Sequence, residues 1–193
     1  MTAWTDRRYA VVDVEGNGRQ PPDLVELGIV LIAGGVVGEP ASWLCRPAAP
    51  IAPIARRIHG ISNDMVAAAP VFADVEAEVR ARLEGAVLVA HNAGADLAVL
   101  RRRMPGFAPG TVLDTLKLSR RLLPGQASYR LTSLARGLRL DDGMAPGLRP
   151  HRAGYDALAA ARLFRYLANQ ASGAPLSFEA LQNGPRAGDD ALF

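Results

Sequence analysis

Asp13 and Glu15 stand two residues apart in YAVVDVEGNG (Tyr9 to Gly18), an otherwise apolar run that takes up two acids just before a pair of glycines. In an extended strand, side chains at i and i+2 share one face with Cα atoms roughly 6.5 Å apart, so both carboxylates reach a common cation. Gly16 and Gly18 end the strand in a turn and leave the acids at its mouth. Asp96, in LVAHNAGADLAVL, falls just past an apolar stretch and in the first turns of a helical pattern. Strand ends are where clefts form in open α/β sheets, so this acid is placed to face the same edge. HRAGYDALAAARLF adds His151 and Asp156. Their spacing leaves His151 on a loop or first turn, free to move, and fixes Asp156 on a helix. A neutral imidazole near pH 7 takes a proton from an attacking water. Taken singly, Asp96 reads as a helix cap and His151 as a surface histidine; the ordered set of five argues for a site. Four carboxylates in a chain whose only cysteine is Cys45 point to hard cations, Mg²⁺ or Mn²⁺ rather than Zn²⁺. Two such ions about 4 Å apart stabilise the attacking and leaving oxygens of a phosphodiester, so the chemistry expected is phosphodiester hydrolysis.

The elements that must position these residues follow from periodicity. Three strand-like segments come first, Tyr9 to Glu15, Leu24 to Ile32 and Val36 to Arg46, joined by Gly-rich or Pro-rich turns that suit an antiparallel meander. Pro53 to Ile61 and Val75 to Leu83 have helical spacing, Val87 to His91 reads as a short buried strand, and Leu97, Leu100 and Met104 mark the helix after it. Thr111 to Leu116 is a further strand candidate, followed by helices over Leu131 to Leu138 and Tyr155 to Ala168. Strands first, then alternation of helix and strand, predict a mixed sheet covered by helices. The expected division is a domain over residues 1–172 and a flexible tail over 173–193, where Gly173, Pro175, Gly184, Pro185 and Gly188 punctuate the chain.

The chain has 193 residues, 49% of them hydrophobic, which suits one domain with a full core. Cys45 alone builds neither a disulfide framework nor a cysteine metal site. The N-terminal charges and the interrupted apolar runs give no signal-peptide core and no bilayer span, so no membrane partner is expected and a cytoplasmic location is. Net charge is +3; with the four acids engaged by cations, the remainder carries 22 positive against 15 negative side chains, a balance that suits a polyanion. Lys117 is the sole lysine, and arginine favours bidentate phosphate contact. Genome composition is an equally good source of the arginine.

At this point the sequence resembles the DEDDh family of 3′ to 5′ exonucleases, which includes the proofreading subunit of bacterial DNA polymerase III. DVEG with Asp13 and Glu15, HNAGAD with Asp96, and HRAGYD with His151 and Asp156 look like its three motifs, and LVELGIVLI, IHGIS, LDTLKLSRRLLP and YRLTSLA fill the gaps over Tyr9 to Leu167. The resemblance implies a ribonuclease H-like α/β fold, a five-stranded mixed sheet flanked by helices. It implies two Mg²⁺ or Mn²⁺ ions on Asp13, Glu15, Asp96 and Asp156, with His151 as base. Arg152 occupies the position where the tyrosine variant of the family carries its tyrosine, so the histidine type is expected. Gly16, His59 and Asn92 are the substrate-binding candidates, with His59 near the terminal nucleotide and its phosphate and Asn92 supporting the same pocket. Gly16 stands where the family usually has threonine and Ala95 where it usually has an aromatic; both changes concern the nucleotide pocket, not the metal site. Single-stranded or 3′-frayed nucleic acid is the expected partner, with DNA favoured over RNA. A non-catalytic nucleic-acid-binding or polymerase-accessory module is the alternative from another class. The terminal Leu192-Phe193 resembles the peptides that dock on a sliding clamp or polymerase subunit.

Overall fold

The structure, a computed structural model, describes residues 2–169 and 174–183. After a short 3-10 turn at Trp4–Asp6, three long strands follow: β1 (Tyr9–Gly16), β2 (Leu24–Ala33) and β3 (Val36–Leu44). Helices α1 (Pro53–His59), α2 (Asn63–Ala67) and α3 (Phe72–Leu83) lead to β4 (Val87–Ala90), α4 (Gly94–Arg103) and β5 (Val112–Asp114). The chain closes with α5 (Thr115–Leu122), α6 (Leu131–Gly137), α7 (Ala153–Asn169) and α8 (Phe178–Asn183). The sheet order is β3-β2-β1-β4-β5, antiparallel across β1, β2 and β3 and parallel across β1, β4 and β5. This is the five-stranded mixed sheet of a ribonuclease H-like fold.

Both faces of the sheet are covered, which is why β1 and β2 read as nearly continuous apolar runs. Tyr9 and Val11 of β1, with Val30 and Ile32 of β2, pack against Leu158, Phe164 and Leu167 of α7 and Leu134 of α6. The alternate residues Ala10, Val12 and Ile29 pack against Val79 and Leu83 of α3 and Leu100 and Met104 of the α4 segment. Strand alternation therefore puts Asp13 and Glu15 on the α7 side, in line with Tyr9 and Val11.

Glycine lets α7 sit unusually low at its start. Gly28 is the antiparallel partner of Asp13, and a Cβ there would overlap the Ala153 carbonyl; a Cβ on Gly154 would likewise overlap the Ser42 hydroxyl. Small residues on both sides bring helix and sheet backbones into contact.

Two expectations change. The strand read over Thr111 to Leu116 ends at Asp114, whose carboxylate accepts from Leu116 N at 2.9 Å and Lys117 N at 3.4 Å and so caps a new helix, α5. The stretch after Ser172, read as a loose tail, contains α8, with Phe178 and Leu181 buried in the α7-side core. Leu176 N donates to Ala168 O at 2.8 Å, Arg121 Nη2 donates to Ala180 O at 2.8 Å, and Ser177 bridges to Ala3. The clamp-docking candidate Leu192-Phe193 lies outside the described residues. Among those described, no helix is long and apolar enough to cross a membrane.

Candidate active site

The acids from three distant segments meet at the end of β1. Carboxylate oxygens of Asp13, Glu15 and Asp156 lie within 4.8 Å of one another. Asp13 and Glu15 come from the α7-facing side of β1, and Asp156 comes from the first turn of α7, lowered onto the strand by Gly28. Asp96 stands beside this trio. It is buried, and its Oδ1 accepts from Val14 N at 2.9 Å. β4 pairs with β1 only as far as Val11, so Asp96 satisfies a strand amide beyond the end of β4 and ties α4 to the acidic strand.

Crowding these carboxylates in a desolvated site raises all their pKa values. Asp13 is pushed well above the ordinary aspartate range, first by burial and then by Asp96, Asp156, Glu15 and Glu26. Burial, joined by Asp156 and Glu26, pushes Glu15 to about 8. Asp96 rises to about 7 through burial, although the Val14 amide opposes it, and Asp156 rises to about 6 through burial against the opposing pull of His151. Such a cluster holds protons or cations, since four bare carboxylates repel one another. Asp156 supplies a direct sign that a cation fits. Its Oδ2 accepts from His151 N at 3.0 Å, whereas its buried Oδ1 has no hydrogen-bond partner among the described residues.

His151 is exposed and sits on the loop before α7 with φ +62°, a left-handed conformation for a non-glycine residue. With Asp13 and Asp156 it borders a cleft of ≈ 590 Å³, walled by Asn92, Arg120, Ser128 and Arg130. Glu15, Gly16, Ile54, Ile58 and His59 line a second, smaller pocket of ≈ 280 Å³. His59 ends α1 and is 3% exposed. Its Nδ1 accepts from Ile61 N at 3.0 Å, so its Nε2 carries the proton; the Gly16 backbone lies beside the ring without closing a hydrogen bond to that nitrogen. That nitrogen is buried and has no hydrogen-bond partner of its own among the described residues. Burial lowers the His59 pKa, which keeps the ring neutral.

Sequence reasoning placed Asn92 in the pocket of His59. The structure puts it instead on the wall of the larger cleft, because Asp114 accepts from Asn92 N at 3.0 Å and Ala93 N at 3.3 Å and holds the β4–α4 turn there. His91, in the same turn, contacts Thr115 Oγ1 through Nδ1 at 2.9 Å and Tyr129 O through Nε2 at 3.0 Å, pinning the cleft's far wall. Asp114, His91 and Glu26 were not singled out from the sequence; only Asp114 carried a signal, the D-T-L-K pattern of a helix cap. A larger cavity of ≈ 760 Å³ among Arg7, Leu83 and Phe107 opens at the starts of β1 and β4, at the end of those strands away from the acidic cluster.

A mixed sheet that gathers two acids from β1, one from α4 and one from α7 beside a loop histidine defines the DEDDh class of exonuclease. The chain belongs to the RNase T exonuclease family, whose model matches residues 10–164. It is 38% identical over 153 residues to exodeoxyribonuclease 10 of Escherichia coli (strain K12), covering 79% of this chain and 65% of that protein. It is 34% identical over 165 residues to the 3′-5′ exonuclease DinG of Bacillus subtilis (strain 168), covering 82% of this chain but 17% of that protein. This chain thus spans less than two thirds of either relative. Among solved structures, exonuclease X in complex with 5′ overhanging duplex DNA is similar with a TM-score of 0.74 and 35% identity, over 90% of this chain and 97% of that one. The nuclease domain of 3′hExo, a DEDDh family member, bound to rAMP, shares the fold with a TM-score of 0.66 and 19% identity, over 86% of this chain and 94% of that one.

Proposed function

We propose that this chain is a divalent-metal-dependent 3′ to 5′ exonuclease that hydrolyses the terminal phosphodiester of DNA, with His151 as general base. The observation that carries the reading is the meeting of the Asp13, Glu15 and Asp156 oxygens within 4.8 Å beside an exposed histidine. Asp13, Glu15, Asp96 and Asp156 would hold Mg²⁺ or Mn²⁺, two ions in all, which would supply charge neutralisation at the phosphodiester and acidify the attacking water. His151, on its loop above Asp156, would accept the proton of that water. Glu15 and Gly16 belong to the ≈ 280 Å³ pocket as well as to the end of β1, so a nucleotide seated there lies next to the acids. The small pocket suits one terminal nucleotide, with the exposed Ile54 and Ile58 against its base and the unpartnered His59 Nε2–H donating to its backbone. Asn92, Arg120 and Arg130 would line the path of the remaining strand.

Preference for DNA draws support from the 38% identity to exodeoxyribonuclease 10 and the 35% identity to exonuclease X bound to DNA. Digestion of matched 5′-labelled DNA and RNA oligonucleotides, with a circular single strand as control, tests activity, polarity and sugar preference together. Laddering from the 3′ end of DNA in Mg²⁺ or Mn²⁺, abolished by EDTA, is expected. Cutting of the circle contradicts the exonuclease reading, and faster digestion of RNA favours an exoribonuclease. Clamp docking by Leu192-Phe193 is a separate proposal; a tail peptide that fails to bind a sliding clamp saturably ends it.

A further inference from the structure

Three carboxylates of the sheet, not two, face α7 at this end: Asp13 and Glu15 of β1 and Glu26 of β2. Glu26 of β2 is the antiparallel partner of Glu15, and like charges directly opposite on neighbouring strands repel unless one is neutralised. Glu26 is 4% exposed and fully engaged: Arg152 donates through Nε at 2.9 Å and Nη2 at 2.5 Å, and the Ala153 amide donates at 2.9 Å. With three donors on its two oxygens, this carboxylate is already engaged within the protein, and it is not one of the Asp13, Glu15 and Asp156 trio whose oxygens lie within 4.8 Å of one another.

What it grips are the two residues that follow His151. His151 itself holds φ +62°, a conformation that a non-glycine residue keeps when its surroundings over-determine it. Its N–H is held by Asp156, and the next residues are held by Glu26, so three consecutive positions are anchored while the imidazole stays exposed. A buried ion pair adds little net stability over a well-packed apolar substitute. The two-pronged guanidinium–carboxylate contact does fix orientation.

We propose that the Glu26–Arg152 pair is a positioning bracket that sets the backbone of residues 151–153 and thereby aims His151 at the scissile phosphate, a role that rests on reading His151 as the general base. Glu26→Gln removes the charge, and Arg152→Lys removes the two-pronged geometry, each with little change in bulk. On a single-stranded oligonucleotide, both variants should lose about 10- to 100-fold in kcat, with KM and the Mn²⁺-induced rise in Tm close to wild type. In a His151→Ala background the same substitutions should cost nothing further, because the bracket acts through the residue already removed. Amide hydrogen exchange at residues 151–153 should quicken in Glu26→Gln whether or not the protein is active. A wild-type protein without nuclease activity therefore sinks the exonuclease reading, while exchange still reads the bracket directly. Undiminished kcat in both variants, equal losses with and without His151, or unchanged exchange overturns the proposal.

Discussion

Gly28 and Ala153 are in direct backbone contact: no β-carbon fits on residue 28 without overlapping the Ala153 carbonyl. Because Gly28 pairs with Asp13 across the sheet, this contact sets the height of α7 above the strand that carries two of the acids. Asp156 lies one turn further along α7 and is brought to Asp13 and Glu15 as a result. Gly28→Ala should therefore destabilise the fold by about 1–3 kcal/mol or more, the range for overpacking a well-fitted contact, and weaken ion binding as α7 lifts. Urea denaturation and Mn²⁺ titration check this; wild-type values in both would contradict it.

The raised carboxyl pKa values predict a pH-dependent stability that cations relieve. In the metal-free native state these groups keep protons that the unfolded chain gives up, so their contribution favours folding at low pH and is lost as pH rises. Ordinary values of 3.8 and 4.5, set against about 6 for Asp156, about 7 for Asp96 and about 8 for Glu15, place the decline between about pH 4 and about pH 8. Scanning calorimetry in EDTA should show Tm falling across that window. Mn²⁺ should raise Tm more near pH 8 than near pH 5, and equal shifts at both would count against the carboxylates as its ligands.

Asp13→Asn and His151→Ala should separate metal holding from proton transfer. Asp13→Asn removes an acid whose charged form is disfavoured by burial and by Asp96, Asp156, Glu15 and Glu26, so the metal-free protein should gain stability at pH 8 while the ion-induced Tm shift disappears. Its turnover should fall by more than the roughly 10–100-fold typical of residues that merely support metal ligands. His151→Ala should keep the ion-induced shift and lose about 10²- to 10⁴-fold in kcat. Full activity in either variant rules out its assigned role.

His59→Ala removes the buried Nε2–H of a residue that lines the small pocket. If that donor meets a charged phosphate oxygen, worth about 1.5–3 kcal/mol, kcat/KM should fall roughly 10- to 150-fold, chiefly through KM. Initial rates against oligonucleotide concentration measure the split; an unchanged KM would place the terminal nucleotide elsewhere.

The parts legible in the sequence are those with local signatures. Alternation in Tyr9–Gly16 puts Asp13 and Glu15 on one face, and the helical spacing of Leu158, Ala161, Leu163, Phe164 and Leu167 marks the helix that carries Asp156. Glu26 was hidden because a single acid within LVELGIVLI reads as a solvent-facing point on a strand; its partner Arg152 lies 126 residues away, and no local pattern links them. The helix α5 was hidden for a different reason. Thr111 to Leu116 has strand-like residues that outweigh the local cap signal of Asp114, and its two further bonds, to the amides of Asn92 and Ala93, come from a distant segment. Asn92 followed the turn that Asp114 holds, and so moved to the other cleft.

The order β3-β2-β1-β4-β5 also decides which strands of the sheet leave an edge unpaired. Open sheets recruit further strands through their outermost members and so seed fibrils. Here one outermost member, β3, contains Pro40, which has no amide hydrogen to offer, next to the exposed charge of Glu39. The other, β5, is only three residues long before Asp114 turns the chain into a helix. The two long apolar strands, β1 and β2, lie between them, with both of their edges already paired inside the sheet.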